Sequence, residues 1–252
     1  MRDEPCRTIG FAGPAQHPAA QALARQLGLT LRVEPAAAEL LLWVHAGGLE
    51  LRRGTAAVRC DFTVPQLAQR LARGRHDLLR ALGARGGERL RVTDATAGLG
   101  IDAITLAHHG HRVVALERCR ITAALLADGL LRARQGPPAI AAAAGRIRLH
   151  CREADGYLHS LPTAPDVIYL DPMYGEDRSR AQPRLAMQLL RALTAGEAAP
   201  AEAPGRLLAA ALARAGRRVV VKRPLRAPAL PGPRPHGAIR GRTTRYDIYG
   251  IG

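Results

Sequence analysis

From Arg89 onward the sequence alternates short apolar runs with longer amphipathic ones, and this alternation limits the fold more than any other feature. Leu90 to Thr93, Arg112 to Leu116, Arg146 to His150, Val167 to Leu170 and Arg217 to Val221 are each four or five residues long and rich in Val, Leu and Ile. Helical periodicity falls between them, at Asp102 to His109, Ile121 to Arg134, Arg184 to Leu193 and Gly205 to Ala215. Strands that are apolar on both faces and separated by helices predict a parallel sheet covered on both sides. Right-handed crossovers make it a doubly wound, Rossmann-like α/β sheet. Thr243 to Tyr249 alternates again and is expected to close that sheet as an antiparallel edge strand.

The first 88 residues follow another pattern, a small α+β region. Ala19 to Leu29 is amphipathic, and Glu39 to Val44 and Leu49 to Arg53 flank Ala46-Gly47-Gly48 as a β-hairpin. Val64 to Leu82 places Leu67, Leu71, Leu78, Leu79 and Leu82 at helical intervals before Gly83, so one helix is expected there. The predicted division is 1–88 and 89–252. Thr194 to Pro204 and the proline-rich Ala227 to Gly237 read as loops.

Composition removes several classes. The chain has 252 residues, 47% of them hydrophobic, enough for a buried core and incompatible with disorder throughout. Its longest apolar runs, such as Glu39 to Val44, fall far short of the ~18 residues a membrane helix needs. The opening Met1 to Cys6 carries acids and a proline where a signal peptide has its apolar core, so a cytoplasmic protein is expected. Cys6, Cys60, Cys119 and Cys151 form no C-x-x-C pair, which argues against a zinc knuckle or a disulfide framework. The net charge is +16, and Arg supplies every positive side chain except Lys222. A compositional bias would produce that charge; so would a polyanionic partner, because Arg pairs with phosphate in bidentate fashion.

The first strand of the alternating region runs into Asp94-Ala95-Thr96-Ala97-Gly98-Leu99-Gly100 and then directly into a helix. Glycines at such a turn let the backbone approach a ligand closely. Glu117 ends the next strand, seventeen residues beyond Gly100, where a doubly wound fold places a carboxylate against ribose hydroxyls. An adenosine-bearing cofactor follows. Asp94 and Asp102 put negative charge where a dinucleotide's pyrophosphate would lie, so a nicotinamide oxidoreductase fits poorly. A cofactor with a cationic centre and an amino acid tail fits better.

The fourth strand ends in Tyr169-Leu170-Asp171-Pro172-Met173-Tyr174, at the carboxyl edge where open α/β sheets hold their sites. With the glycine turn and Glu117, this string resembles the motifs of class I S-adenosylmethionine-dependent methyltransferases that modify exocyclic amino groups. Such an amine is a poor nucleophile because its lone pair is delocalised into the ring. Asp171 and the Pro172 carbonyl would accept its N–H hydrogens, and Tyr174 would stack on an extruded base. Met173 stands where the usual motif has a second proline.

Leu116-Glu117-Arg118, Ala123 to Leu126, Val219 to Pro224 and Arg245 to Tyr249 extend the match, and together the strings resemble the RsmJ-type family of bacterial 16S ribosomal RNA guanine-N2 methyltransferases. That resemblance implies S-adenosylmethionine as cofactor, 16S rRNA or the small ribosomal subunit as partner, and no metal. It also implies cofactor contacts at Gly98, Gly100, Ile101, Asp102, Glu117, Arg118, Glu153, Ala154 and Asp171, with Asp155 near the adenine amine. Ile101 departs from the family's Arg, and Glu153-Ala154 from its Ser-Ser. The competing readings are an amino-methyltransferase of DNA adenine or a protein amide, and a non-catalytic RNA-binding protein. His108, His109 and His111 read as helix capping rather than a metal site. Lys222-Arg223 invites a phosphate contact or a solvated strand end. Arg70, Arg73 and Arg75 read as a solvated face.

Overall fold

The computed structural model describes residues 6–36, 39–72, 76–172, 185–194 and 203–251. A five-stranded sheet comes first. Its strands are β1 (Thr8–Phe11), β2 (Thr30–Leu31), β3 (Leu41–His45), β4 (Gly48–Arg53) and β5 (Ala56–Val58), in the order β2-β1-β3-β4-β5. β1 lies parallel to β2 and β3, while β3, β4 and β5 form an antiparallel meander. The expected hairpin is therefore present, with its turn at Ala46-Gly47 and His45 opposite Gly48. Helix α1 (His17–Leu27) packs on this sheet through Ala20 and Ala24.

The single helix expected over Val64 to Leu82 is two: α2 (Pro65–Ala72) and α3 (Asp77–Leu82), the latter entered through an extended His76. Its periodic leucines do point inward. Leu67, Leu71, Leu78 and Leu82 are at most 4% exposed and join Val92, Leu106 and Val220 in one core. Each such burial contributes about 1.5–3 kcal/mol.

The larger sheet contains β6 (Arg91–Asp94), β7 (Arg112–Glu117), β8 (Ile147–Cys151), β9 (Val167–Leu170), β10 (Arg218–Pro224), β11 (Gly237–Arg240) and β12 (Thr244–Gly250), ordered β11-β12-β10-β9-β6-β7-β8. β6 through β10 are mutually parallel. β12 runs antiparallel, as expected, but it is not the edge: β11 pairs outside it, so the region read as a loop ends in a strand. One face is covered by α2, α3, α4 (Ile101–His108), α5 (Arg120–Arg134) and α6 (Pro138–Gly145). The other is covered by α7 (Ala154–His159) and α9 (Ala203–Arg214). α8 (Leu185–Thr194) joins Ile121 and Leu125 of α5 against the small sheet.

The chain advances from β6 through β7 to β8, then returns to the other side of β6 to form β9. That reversal leaves a crevice at the carboxyl ends of β6 and β9, the place where doubly wound sheets bind ligands.

Candidate active site

β6 delivers the glycine turn into that crevice. Ala95 N–H donates to the Tyr169 carbonyl (3.0 Å) and Ala97 N–H to the Leu116 carbonyl (2.9 Å), so the turn is tied to strands on both sides. Gly98 and Gly100 have φ of +54° and +75°, the left-handed region that favours glycine. A Cβ on Gly100 would lie 2.5 Å from Leu126 Cδ1, whereas one on Gly98 would meet no atom of the described residues within 4 Å. The first glycine keeps open space above the turn, and the second permits close packing beneath it.

Glu117 braces this turn. Its Oε2 accepts the Gly98 N–H (2.9 Å) and its Oε1 the Cys119 N–H (2.8 Å). Each oxygen accepts one backbone donor and retains acceptor capacity toward the crevice. Burial raises the Glu117 carboxyl above its usual range, with the two backbone donors opposing.

A cavity of about 470 Å³ fills the crevice. Of the residues expected at the site, Gly98, Glu117, Arg118, Glu153, Ala154, Asp155, Asp171 and Pro172 line it. Gly100, Ile101 and Asp102 do not: Gly100 lies under the turn against Leu126, and Asp102 faces the other side of the sheet edge. Tyr174 and Met173 lie outside the described residues. Thr122 of α5, Arg152, and Arg206 and Leu207 of α9 are among the further lining residues, and sequence reasoning missed them. Arg206 and Leu207 come from a helix remote in sequence from every motif, while Arg152 directly precedes Glu153 and Thr122 lies in the first turn of α5, neither marked by a motif of its own.

The volume falls within the range for a nucleoside-sized ligand. Leu116, Ala154 and Leu207 offer apolar walls for a ring, and Glu117 offers acceptors for vicinal hydroxyls. Asp171 supplies negative charge suited to a cationic centre. The donor set therefore fits S-adenosylmethionine.

Behind Asp171 lies a chain of charges. Lys222 Nζ donates to Asp171 Oδ2 and to Asp102 Oδ2, both at 2.8 Å. Asp102 Oδ2 also accepts the Tyr169 hydroxyl (2.7 Å), and its Oδ1 accepts Arg70 (2.7 Å). Lys222 is thus neither a phosphate contact nor a solvated strand end. Arg223 is 4% exposed and donates to the Pro228 carbonyl, and Arg70 pairs with Asp102 while its side chain stays 39% exposed. Arg73 and Arg75 lie outside the described residues.

Burial raises the Asp171 carboxyl, Lys222 opposes that shift and Asp102 adds to it. Asp102 is pushed up by burial too, but the Lys222 ammonium, Arg70 and the Tyr169 hydroxyl outweigh this and hold it below its ordinary value. Asp94, 1% exposed, sits well above its ordinary value through burial and the nearby Asp102, and its Oδ1 accepts the Thr96 N–H (3.2 Å). The Thr96 hydroxyl in turn accepts the Asp171 N–H (2.6 Å), which links β6 to β9.

Across the sheet edge a second cavity of about 430 Å³ is lined by Arg70, His76, Arg242, Thr244 and Tyr246, among others. The histidines near α4 are structural. His109 is the helix C-cap, Gly110 follows with φ +94°, and His111 Nδ1 accepts the Leu90 N–H (3.1 Å). Among the described residues no cluster of His, Cys, Asp or Glu is placed to hold a metal, and no helix is long and apolar enough to cross a membrane.

A doubly wound sheet with an antiparallel strand beside β10, a glycine turn braced by Glu117, and an Asp-Pro pair at the switch point define a class I S-adenosylmethionine-dependent methyltransferase. The family model described as "Putative SAM-dependent methyltransferase" matches residues 22–251. Ribosomal RNA small subunit methyltransferase J of Alkalilimnicola ehrlichii is 44% identical, over 95% of this chain and 93% of its own. The protein of that name from Thioalkalivibrio sulfidiphilus is 41% identical, over 97% and 98%. Among solved structures, the SAM-dependent methyltransferase NGO1261 from Neisseria gonorrhoeae superposes with a TM-score of 0.77 at 31% identity, covering 96% of this chain and 95% of that one. The chain belongs to the ribosomal RNA small subunit methyltransferase J family.

Proposed function

We propose that the protein methylates the exocyclic N2 amino group of one guanine in 16S ribosomal RNA. The observation that carries this reading is the placement of Asp171 and Pro172 in the same cavity as the glycine turn and Glu117. An amine acceptor and a nucleoside-sized cavity share one crevice. The relatives' names, the +16 net charge and the arginines of the second cavity support an RNA substrate approaching this sheet edge. A ribosomal substrate places the protein in the cytoplasm.

S-adenosylmethionine, when bound, supplies a methyl group made electrophilic by its sulfonium. Glu117 would hold its ribose hydroxyls and Asp155 its adenine amine, with Gly98, Arg118, Glu153 and Ala154 forming the surrounding wall. Asp171 and the Pro172 carbonyl would accept the two amine hydrogens of guanine and turn its lone pair toward the methyl group. Tyr174 would stack on the extruded base. Gly100 and Asp102 would act from behind the cavity wall, and Ile101, 36% exposed at the start of α4, by shaping the turn and the helix that follows it. We also propose that residues 1–88 form an amino-terminal α+β region that helps shape the RNA surface, and that 89–252 form the methyltransferase domain.

The test is transfer of labelled methyl to small-subunit rRNA or particles, followed by mass spectrometry of the digested nucleosides. N2-methylguanosine is the expected product; labelled adenine, labelled protein amide or no transfer at low salt would overturn the reading. Asp171→Ala should abolish turnover with a modest loss of cofactor binding, whereas Glu117→Ala should mainly weaken the cofactor. Equal effects of the two would refute the division of roles.

A further inference from the structure

Lys222 lies in β10 one residue past its last pairing with β9, and its ammonium donates to two carboxylates at equal distances of 2.8 Å. On Asp171 it occupies only Oδ2; among the described residues Oδ1 has no hydrogen-bond partner, and the side chain is 37% exposed in the cavity wall. Lys222 itself is 26% exposed and Asp102 10% exposed, so both charges lie mostly out of water, where an electrostatic contact is strong. Such a pair fixes the carboxylate plane and leaves one oxygen for a ligand.

We propose that Lys222 is a positioning residue for methyl transfer: it pins Asp171 through Oδ2 so that Oδ1 faces the acceptor amine, and Asp102 sets how strongly it does so. The inference rests on the reading of Asp171 as the amine acceptor. Asp102 draws part of the ammonium away, which leaves Asp171 a better acceptor than it would be in an exclusive pair. Arg70 anchors Asp102 from α2, and the Tyr169 hydroxyl anchors it from β9. Among the described residues, the other titratable groups facing this cluster are Asp94 from β6 and Tyr246 from β12.

Only the ionised form of Asp171 accepts on both oxygens, so the acid limb of the kcat profile reports its titration. Lys222→Met removes the charge that opposes protonation, and the limb moves to higher pH. Near neutrality kcat falls by about 10²-fold, the order found for one positioned electrostatic group, and recovers as pH is raised. Lys222→Arg keeps the charge and returns the limb toward wild type. Asp102→Asn removes the competing carboxylate, and the limb moves to lower pH. Opposite shifts from two residues in contact are not produced by a merely structural loss.

The experiment measures kcat against pH on small-subunit rRNA for the three variants, alongside carbon-13 carboxyl titration of Asp171, assigned with Asp171→Asn. Opposed shifts in both readouts are expected. An unmoved limb in Lys222→Met, or the same direction in both neutral variants, would overturn the proposal. Should Lys222→Met not fold, the direction of the Asp102→Asn shift decides. If the wild type transfers no methyl to rRNA, the functional reading fails, and the carboxyl titration still reports whether Lys222 and Asp102 act on Asp171 in opposite senses.

Discussion

At the scale of single residues, the two glycines of the cofactor turn are under different constraints, and their alanine variants separate them. Gly100→Ala adds a methyl 2.5 Å from Leu126 Cδ1 and 3.3 Å from Phe62 Cζ at a φ of +75°. The left-handed backbone costs about 1–2 kcal/mol and the overpacking about 1–3 kcal/mol, so urea denaturation should show a loss of about 2–4 kcal/mol. Gly98→Ala incurs the backbone cost of about 1–2 kcal/mol, because no atom of the described residues is near. Asp94→Asn should raise stability at neutral pH. The folded state holds this carboxyl well above its ordinary value of 3.8, so its own contribution to stability is full below 3.8 and is lost as pH rises from there through the folded-state value. Asparagine still accepts the Thr96 N–H and does not titrate, so thermal melts should show a gain that closes as pH falls toward 3.8. Much of the site was legible from residue types alone: Gly98, Glu117 and Asp171 each follow a strand at a recognisable spacing. Lys222 was visible as a strand-end cation, but its role was not, because Asp102 reaches it from a helix 120 residues earlier in the chain.

At the scale of elements, α5 shows why local propensity misjudges a packed helix. Gly129 sits inside it, where alanine would ordinarily gain about 1 kcal/mol. A Cβ there would lie 2.4 Å from Cys60 Sγ and 2.9 Å from the Cys60 carbonyl oxygen, and the latter, being backbone, yields little. Overpacking of about 1–3 kcal/mol wins, and Gly129→Ala should lower the denaturation midpoint rather than raise it. The same distinction explains which elements the sequence revealed. Val167–Leu170 forms the strand its apolar run predicts, since all four side chains are buried in the middle of the sheet. β2 and β5 escaped notice because two or three residues carry no readable period. The break between α2 and α3 went unseen because helical leucine spacing continues across both. β11 was hidden by the prolines before it, and its pairing outside β12 displaced the expected edge.

At the scale of the whole molecule, the charge of +16 makes RNA affinity a function of salt. For ~6 phosphate contacts on a single strand, raising salt from about 50 to 200 mM should weaken binding by about 10²- to 10³-fold in a filter or anisotropy assay. A flat dependence would remove the polyanionic partner and leave compositional bias as the source of the arginines. The small sheet has a different dependence, on the rest of the chain. Leu42, Val44 and Leu51 share their core with Ile121 and Leu125 of α5 and with Leu189, Ala192 and Leu193 of α8. During synthesis the strands up to Val58 leave the ribosome long before either helix exists. At roughly 5–20 residues per second, their apolar face waits on the order of ten seconds for residue 194. The nascent chain therefore carries a hydrophobic sheet face that only α1 covers in part, a surface suited to chaperone engagement until α5 and α8 emerge and close it.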